Sequence, residues 1–204
     1  MPKRLLARCK PDSIDEFKLA AHQRYNDGLI LSLKGRRTAA IYVWGYAIEM
    51  TLKAAYFSFL GKGLGYQLKA KTPTQSRSQP ARVSADLPVH FIPPYVGSQG
   101  LHDVITWRQD LQPAIQTARS YAIHWPSQGA GHNLLAWAEL LIAYRSHRHQ
   151  AYSPAFCSEF QRKAQQSYQL WRETLRYHKN IAYLFEVRQM EDCTQWFICN
   201  DRFL

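Results

Sequence analysis

The chain has 204 residues, 46% of them hydrophobic and 20% charged, enough apolar material for one packed domain and too much for wholesale disorder. Its 26 basic residues outnumber 15 acidic ones, and a net charge of +11 points to polyanionic partners, nucleic acid first among them. The longest apolar run, Ala39 to Ile48, is about half a membrane span, so no transmembrane segment is expected.

The opening sequence MPKRLLARCKPD is basic but has no apolar stretch of the kind a secretion signal needs, so a cytoplasmic chain is expected. Ser13 and Glu16 then stand at capping-box spacing, in which each side chain satisfies the other's free backbone N–H. Ile14, Phe17, Ala21, Tyr25 and Gly28 follow at helical intervals, with Gly35 as a stop. The segment from Arg36 to Leu60 predicts the clearest helix. Ala40, Val43, Trp44, Ala47, Ile48, Leu52, Ala55 and Phe59 form one apolar stripe, with Tyr42, Gly45, Tyr46, Glu49 and Lys53 beside it. A helix apolar on so many faces belongs at the centre of a core.

The composition changes at Gly61. Residues 61–100 hold half of the glycines and half of the prolines, and carry Lys62, Lys69, Lys71, Arg77 and Arg82 against the single acid Asp86. Such a segment reads as a long loop, either a solvated connection or a basic arm for a phosphate backbone. Helical spacing returns at Val104, Ile105, Trp107 and Leu111. Pro113 is expected to open a fresh helix bearing Ala114, Ile115, Ala118, Tyr121 and Ala122. After a break at Trp125-Pro126, Gly131-His132-Asn133 leads into Leu134, Trp137, Ala138, Leu141 and Ile142. Ser153-Pro154 is a cap and first position for a helix through Phe156, Phe160, Ala164, Tyr168, Trp171 and Leu175. A last helix is expected over 182–198. No long stretch alternates with period two. The chain therefore reads as all-α: a single helical bundle over 1–204 with a basic Gly/Pro-rich insertion at 61–100. The cysteines Cys9, Cys157, Cys193 and Cys199 form no CxxC pair and read as buried free thiols.

Ala40, Tyr42, Gly45, Tyr46, Ala47, Glu49, Leu52, Lys53 and Ala54 resemble the phrase A-x-Y-L-x-G-Y-A-x-E-x-x-L-K-A of bacterial HEPN domains (higher eukaryotes and prokaryotes nucleotide-binding). Gly131-His132-Asn133-Leu134 is similar to that family's G-H-D-L helix entry, and Trp171 with Arg176-Tyr177 to its W…R-Y. The resemblance covers the helices at 13–60 and 131–199. It implies an up-and-down helical bundle that forms a homodimer. It further implies one of three activities: a metal-independent endoribonuclease of the toxin type, a non-catalytic partner of a nucleotidyltransferase, or an RNA- or nucleotide-binding module. Fold alone does not choose among them.

Catalytic members of that family carry Arg-x(4–6)-His. Arg172 and His178 fit with five intervening residues, Arg119 and His124 with four but out of the usual order. A histidine can accept the 2′-OH proton or protonate the leaving 5′-oxygen, while an arginine holds the scissile phosphate. On a continuous helix, positions five and six apart stand about 140° and 240° around the axis, so either pair needs a helix end or a second subunit to converge. The residue after the motif arginine is Glu173, whose charge repels phosphate. Glu49, amid Trp44, Tyr46, Ile48 and Leu52, reads either as an i,i+4 partner of Lys53 or, as the resemblance implies, as the group that orients the basic residues of the last core helix.

RNA contacts are expected from Lys53, Arg176 and Lys179, and from Lys69, Lys71, Arg77 and Arg82 in the insertion. The stretch Arg145-Ser-His147-Arg148-His149 has no acid or cysteine at ligand spacing and reads as a wet helix end in place of a metal site. Gly61-Lys-Gly-Leu-Gly65 lacks the Lys-Ser/Thr of a phosphate-cradling loop. No cofactor is implied.

Overall fold

A computed structural model describes residues 13–66, 111–125 and 132–204. Among them all regular structure is helical and there is no strand. In chain order the helices are α1 (Ile14–Leu33), α2 (Arg37–Phe59), α3 (111–120), α4 (Leu134–His147), α5 (Pro154–Leu170) and α6 (Leu184–Cys199), with a 3₁₀ turn at Glu173–Tyr177 between the last two. Lys69, Lys71, Arg77 and Arg82, with most of the predicted insertion, lie outside the described residues, as do Cys9 and Gly131.

Local chemistry sets most of the helix ends. Ser13 Oγ accepts from the Glu16 N–H at 3.1 Å, Asn133 Oδ1 from Ala136 at 2.9 Å, and Ser153 Oγ from Phe156 at 3.3 Å, with Pro154 in the first turn of α5. At the other end of α1, Gly35 has φ of +70° and donates to Ser32 O, while Arg36 donates to Leu31 O. That paired arrangement needs a left-handed residue, which glycine supplies without strain. The chain then folds straight back, so α1 and α2 form a hairpin.

Helix α2 is the centre of the bundle and packs against α1, α4, α6 and the 3₁₀ turn. Ala40, Ile41, Trp44, Ala47, Ile48 and Leu52 are all buried. The α4 residues Leu134, Trp137, Leu140 and Leu141 close one side, where Trp125 meets Trp137 edge-on at 5.1 Å between ring centroids. On the other side, Phe160 of α5 stacks on Trp196 of α6 at 5.9 Å, and Lys163 pairs with Asp192 across the same two helices. Of the described cysteines, Cys193 is buried, Cys157 half-buried and Cys199 exposed, all as free thiols.

Two glycines let indoles approach. A Cβ on Gly28 would stand 2.2 Å from the Trp44 ring, and one on Gly45 would stand 2.0 Å from the Trp171 ring. Each indole also donates to the carbonyl three residues before its glycine: Trp44 to Tyr25 O at 3.0 Å, Trp171 to Tyr42 O at 2.9 Å. The second contact corrects the expected extent of α5. That helix stops at Leu170, because Trp171 must turn extended (φ −117°, ψ 136°) to lay its ring over Gly45. Leu175 therefore sits in the 3₁₀ turn and not in α5.

The segment after the turn is tied to the start of α2. Thr38 Oγ1 accepts from the N–H groups of Ile181 and Ala182 at 2.8 and 3.0 Å. Asn180 accepts from Thr38 N at 3.1 Å and donates to Gly35 O at 2.9 Å. α6 opens two residues later than expected, at Leu184, and the Tyr183 N–H before it is met by the Glu186 carboxylate at 2.7 Å. No helix among the described residues is long and apolar enough to cross a membrane.

Candidate functional site

Glu49 projects from the middle of α2 into a place with almost no solvent, its side chain 5% exposed. A bare carboxylate there would be very unstable, and two nitrogen donors meet it. Lys53, one turn on and equally buried, pairs with Oε1. His132, immediately before the Asn133 cap of α4, reaches Oε2 with Nδ1 at 2.8 Å. The opposite ring nitrogen, Nε2, points outward to the Glu173 carboxylate at 3.2 Å. One imidazole thus bridges a buried acid on α2 and a half-exposed acid on the 3₁₀ turn.

The electrostatics follow from that arrangement. Burial pushes the Glu49 carboxyl up, but the Lys53 ammonium and the His132 hydrogen bond outweigh it and hold the group below the ordinary carboxylate range. The hydrogen bond to Glu49 raises His132 above the usual imidazole value, against burial and Lys53 repulsion, with Glu173 adding to the rise. Protonated, the ring donates from both nitrogens, one to each carboxylate. Tyr46 packs edge-on against both His132 and Trp171, at 6.0 and 5.3 Å between centroids. Its hydroxyl is pushed upward by burial, by the Tyr42 hydroxyl 3.5 Å away and by the Glu49 charge. The Arg176 guanidinium lies close enough to Tyr42 and Tyr46 to act on both hydroxyls.

The expected i,i+4 pair of Glu49 with Lys53 is present, but buried and not on an open helix face. The partner from the later part of the chain is His132, not a basic residue of the last core helix. Sequence reasoning left His132 out of the site. Its signal was the demand of a buried carboxylate for a second donor, which Gly131-His132-Asn133 at a helix entry could meet.

Arg172 and His178 stand on either side of the 3₁₀ turn in extended conformations and not on a helix. The Arg172 guanidinium turns back to donate to the carbonyls of Tyr168 and Trp171, the latter at 2.7 Å, and lies 4.1 Å over the Tyr168 ring. His178 and Lys179 are exposed. Arg119 is near the end of α3, and His124 lies beyond it, past a left-handed Ala122 with φ of +57°; both are exposed. Lys53 is sealed in the core and faces Glu49, which leaves it no open face toward RNA.

From Arg176 to Phe185 the surface presents basic residues followed by aromatics, with the Arg176 guanidinium 4.6 Å over the Tyr177 ring. Arg176, His178 and Lys179 are exposed, and so are Tyr177 at 74% and Tyr183 and Phe185 at 66% each. The last two rings stack nearly parallel, 5.9 Å apart at 9°. Arg145, by contrast, is structural: it lies over the rings of Phe59 and Tyr152 and donates to Leu204 O at 2.9 Å. Among the described residues no group of three or more His, Cys, Asp or Glu is placed to hold a metal.

No family model matches the chain, and comparisons with curated proteins and with solved structures find no match either.

Proposed function

We propose that the chain is a HEPN-like helical domain that binds single-stranded RNA across the face formed by residues 172–185. One observation carries this reading: three exposed aromatic rings, two of them stacked, lie in the same ten residues that expose Arg176, His178 and Lys179. Single-stranded nucleic acid is held by that combination, because cations follow the phosphates while every base has a face to stack. The +11 charge of the whole chain points the same way. Anisotropy of a labelled short oligoribonucleotide at low salt tests it. Replacing both Tyr183 and Phe185 by Ala removes stacking worth about 1–3 kcal/mol per base, so affinity should fall at least tenfold with helical content unchanged. An unchanged affinity would sink the proposal.

The endoribonuclease form of this reading uses Arg172 as phosphate clamp and His178 as acid or base, brought together across a homodimer, with no metal. Arg172 would first have to release the two carbonyls it holds. In that form, metal-free cleavage by the purified protein should fall about 10²–10⁴-fold in His178→Ala. A wild type that binds RNA and leaves it intact would discard the enzyme and keep the binding module.

A second reading rests on the apolar members of the same face. Ile181 and Leu184 are exposed next to Phe185, which suits association with a protein such as a nucleotidyltransferase. Absence of RNA binding at low salt would favour it.

A further inference from the structure

The geometry points to a receptor for one backbone phosphate, formed by His132 and Arg176, in which Glu173 sits as an internal anion until RNA displaces it. This rests on the single-stranded RNA reading and assigns that face its phosphate-recognition point and its competitor.

The receptor half is built from inside the protein. Glu49, buried and already paired with Lys53, fixes the imidazole through Nδ1 and leaves Nε2 as the ring nitrogen directed outward, a donor when the ring is protonated. His132 also directly precedes the cap of α4, where the positive end of the helix favours a negative group. The occupant half is the Glu173 carboxylate, 3.2 Å from Nε2 and half-exposed. In a 3₁₀ turn side chains three apart eclipse, so Glu173 and Arg176 rise from the same side of Glu173–Tyr177. Arg176 is in addition close to the hydroxyl of Tyr42, about two turns before Glu49 on α2. The guanidinium itself rests 4.6 Å over the Tyr177 ring, and a side-chain rotation brings it beside Nε2 when the carboxylate leaves.

A phosphodiester suits that place on charge and on shape. It carries a single negative charge, as Glu173 does, so the exchange leaves the charge beside His132 unchanged. Its two non-bridging oxygens can accept separately, one from Nε2–H and one from the arginine. Glu173, already half in water, needs only a side-chain rotation to leave. The acid that the sequence places where it repels phosphate is then a regulator of access to the receptor.

A double-mutant cycle on RNA affinity tests this, with a labelled short oligouridylate as the probe and far-UV circular dichroism as the check on folding. Glu173→Gln should tighten binding about three- to tenfold, and His132→Asn should weaken it. In the His132→Asn background the gain from Glu173→Gln should vanish, because no receptor remains to be uncovered. The same gain in both backgrounds would reduce Glu173 to a diffuse charge effect and overturn the proposal. So would no gain at all. If His132→Asn does not fold, Arg176→Ala replaces it in the cycle with the same expectation, since Arg176 is exposed. Millimolar inorganic phosphate should compete poorly with the oligonucleotide; complete displacement would identify a free-phosphate site in place of an RNA contact. Failure of every variant to bind the probe would remove the RNA reading together with this one, whereas binding without coupling removes this one alone.

Discussion

Glu49 shows what a single residue can and cannot disclose in advance. Its i,i+4 spacing to Lys53 is legible, since a helix face places them together whatever the fold. His132, 83 positions away, is not, because no periodicity links α2 to the entry of α4. The pair matters most when broken. Glu49→Leu leaves the Lys53 ammonium buried without its carboxylate, and about 3–5 kcal/mol of stability should be lost in chemical denaturation. His132 adds a pH dependence of definite sign. Its folded-state pKa is raised, so the native state keeps a proton that the unfolded chain releases near pH 6.5. The stabilisation is complete below that pH and is lost as pH rises through the higher folded value. Glu49, held low, acts at the other end: its contribution is present above about pH 4.5 and lost as pH falls through its depressed value. Denaturation midpoints should therefore decline in the wild type as pH rises above 6.5, and flatten in His132→Asn. A wild-type curve already flat there would contradict the raised imidazole.

At the level of elements, helices were predictable wherever a cap and an apolar stripe agreed, as at Ser13 and Ser153. The expectation failed between 171 and 183. Trp171 and Leu175 continue the helical spacing of Phe160, Ala164 and Tyr168, so the sequence alone favours a longer α5. Tertiary structure overrides it, because the indole gains a groove over Gly45 and a carbonyl acceptor at Tyr42 only by leaving the helix. The GY pair in α2 thus has a packing reason: glycine admits Trp171, and the tyrosine beside it lines that ring at 5.3 Å. Gly45→Ala would drive a methyl into the indole, and overpacking of this kind costs about 1–3 kcal/mol. The expected thermal shift is a loss of several degrees, at about 2–4 °C per kcal/mol in a chain this size. The loss should shrink when Trp171→Leu is added, since the clash is then gone. A fully additive double variant would show that Gly45 serves something other than the indole.

For the whole molecule, the all-α class was legible because apolar stripes of helical period dominate and none of period two competes. The surplus of charge was equally plain, but composition gives no location for it. The described face at 172–185 holds only part of the surplus, and the basic residues at 69–82 lie outside the described residues. Salt separates the two contributions. If both contact phosphate, affinity should fall steeply between about 50 and 200 mM salt, with a slope set by the number of neutralised phosphates. Deleting residues 69–82 should flatten the slope by up to about one unit for each of Lys69, Lys71, Arg77 and Arg82 in contact. An unchanged slope would confine recognition to the face built on α2.

That face is fastened at two points only a few residues apart on one helix. Trp171 holds the carbonyl of Tyr42, and Asn180, Ile181 and Ala182 hold Thr38 and Gly35. The chain between them is a strap clasped at both ends to the beginning of α2, so releasing either clasp loosens the other. Opening should then be one concerted event, with a free energy below that of global unfolding. In native-state hydrogen exchange, the Trp171 indole N–H and the Ile181 amide should share a single opening free energy and respond together to mild denaturant, while the centre of α2 exchanges only with the whole protein.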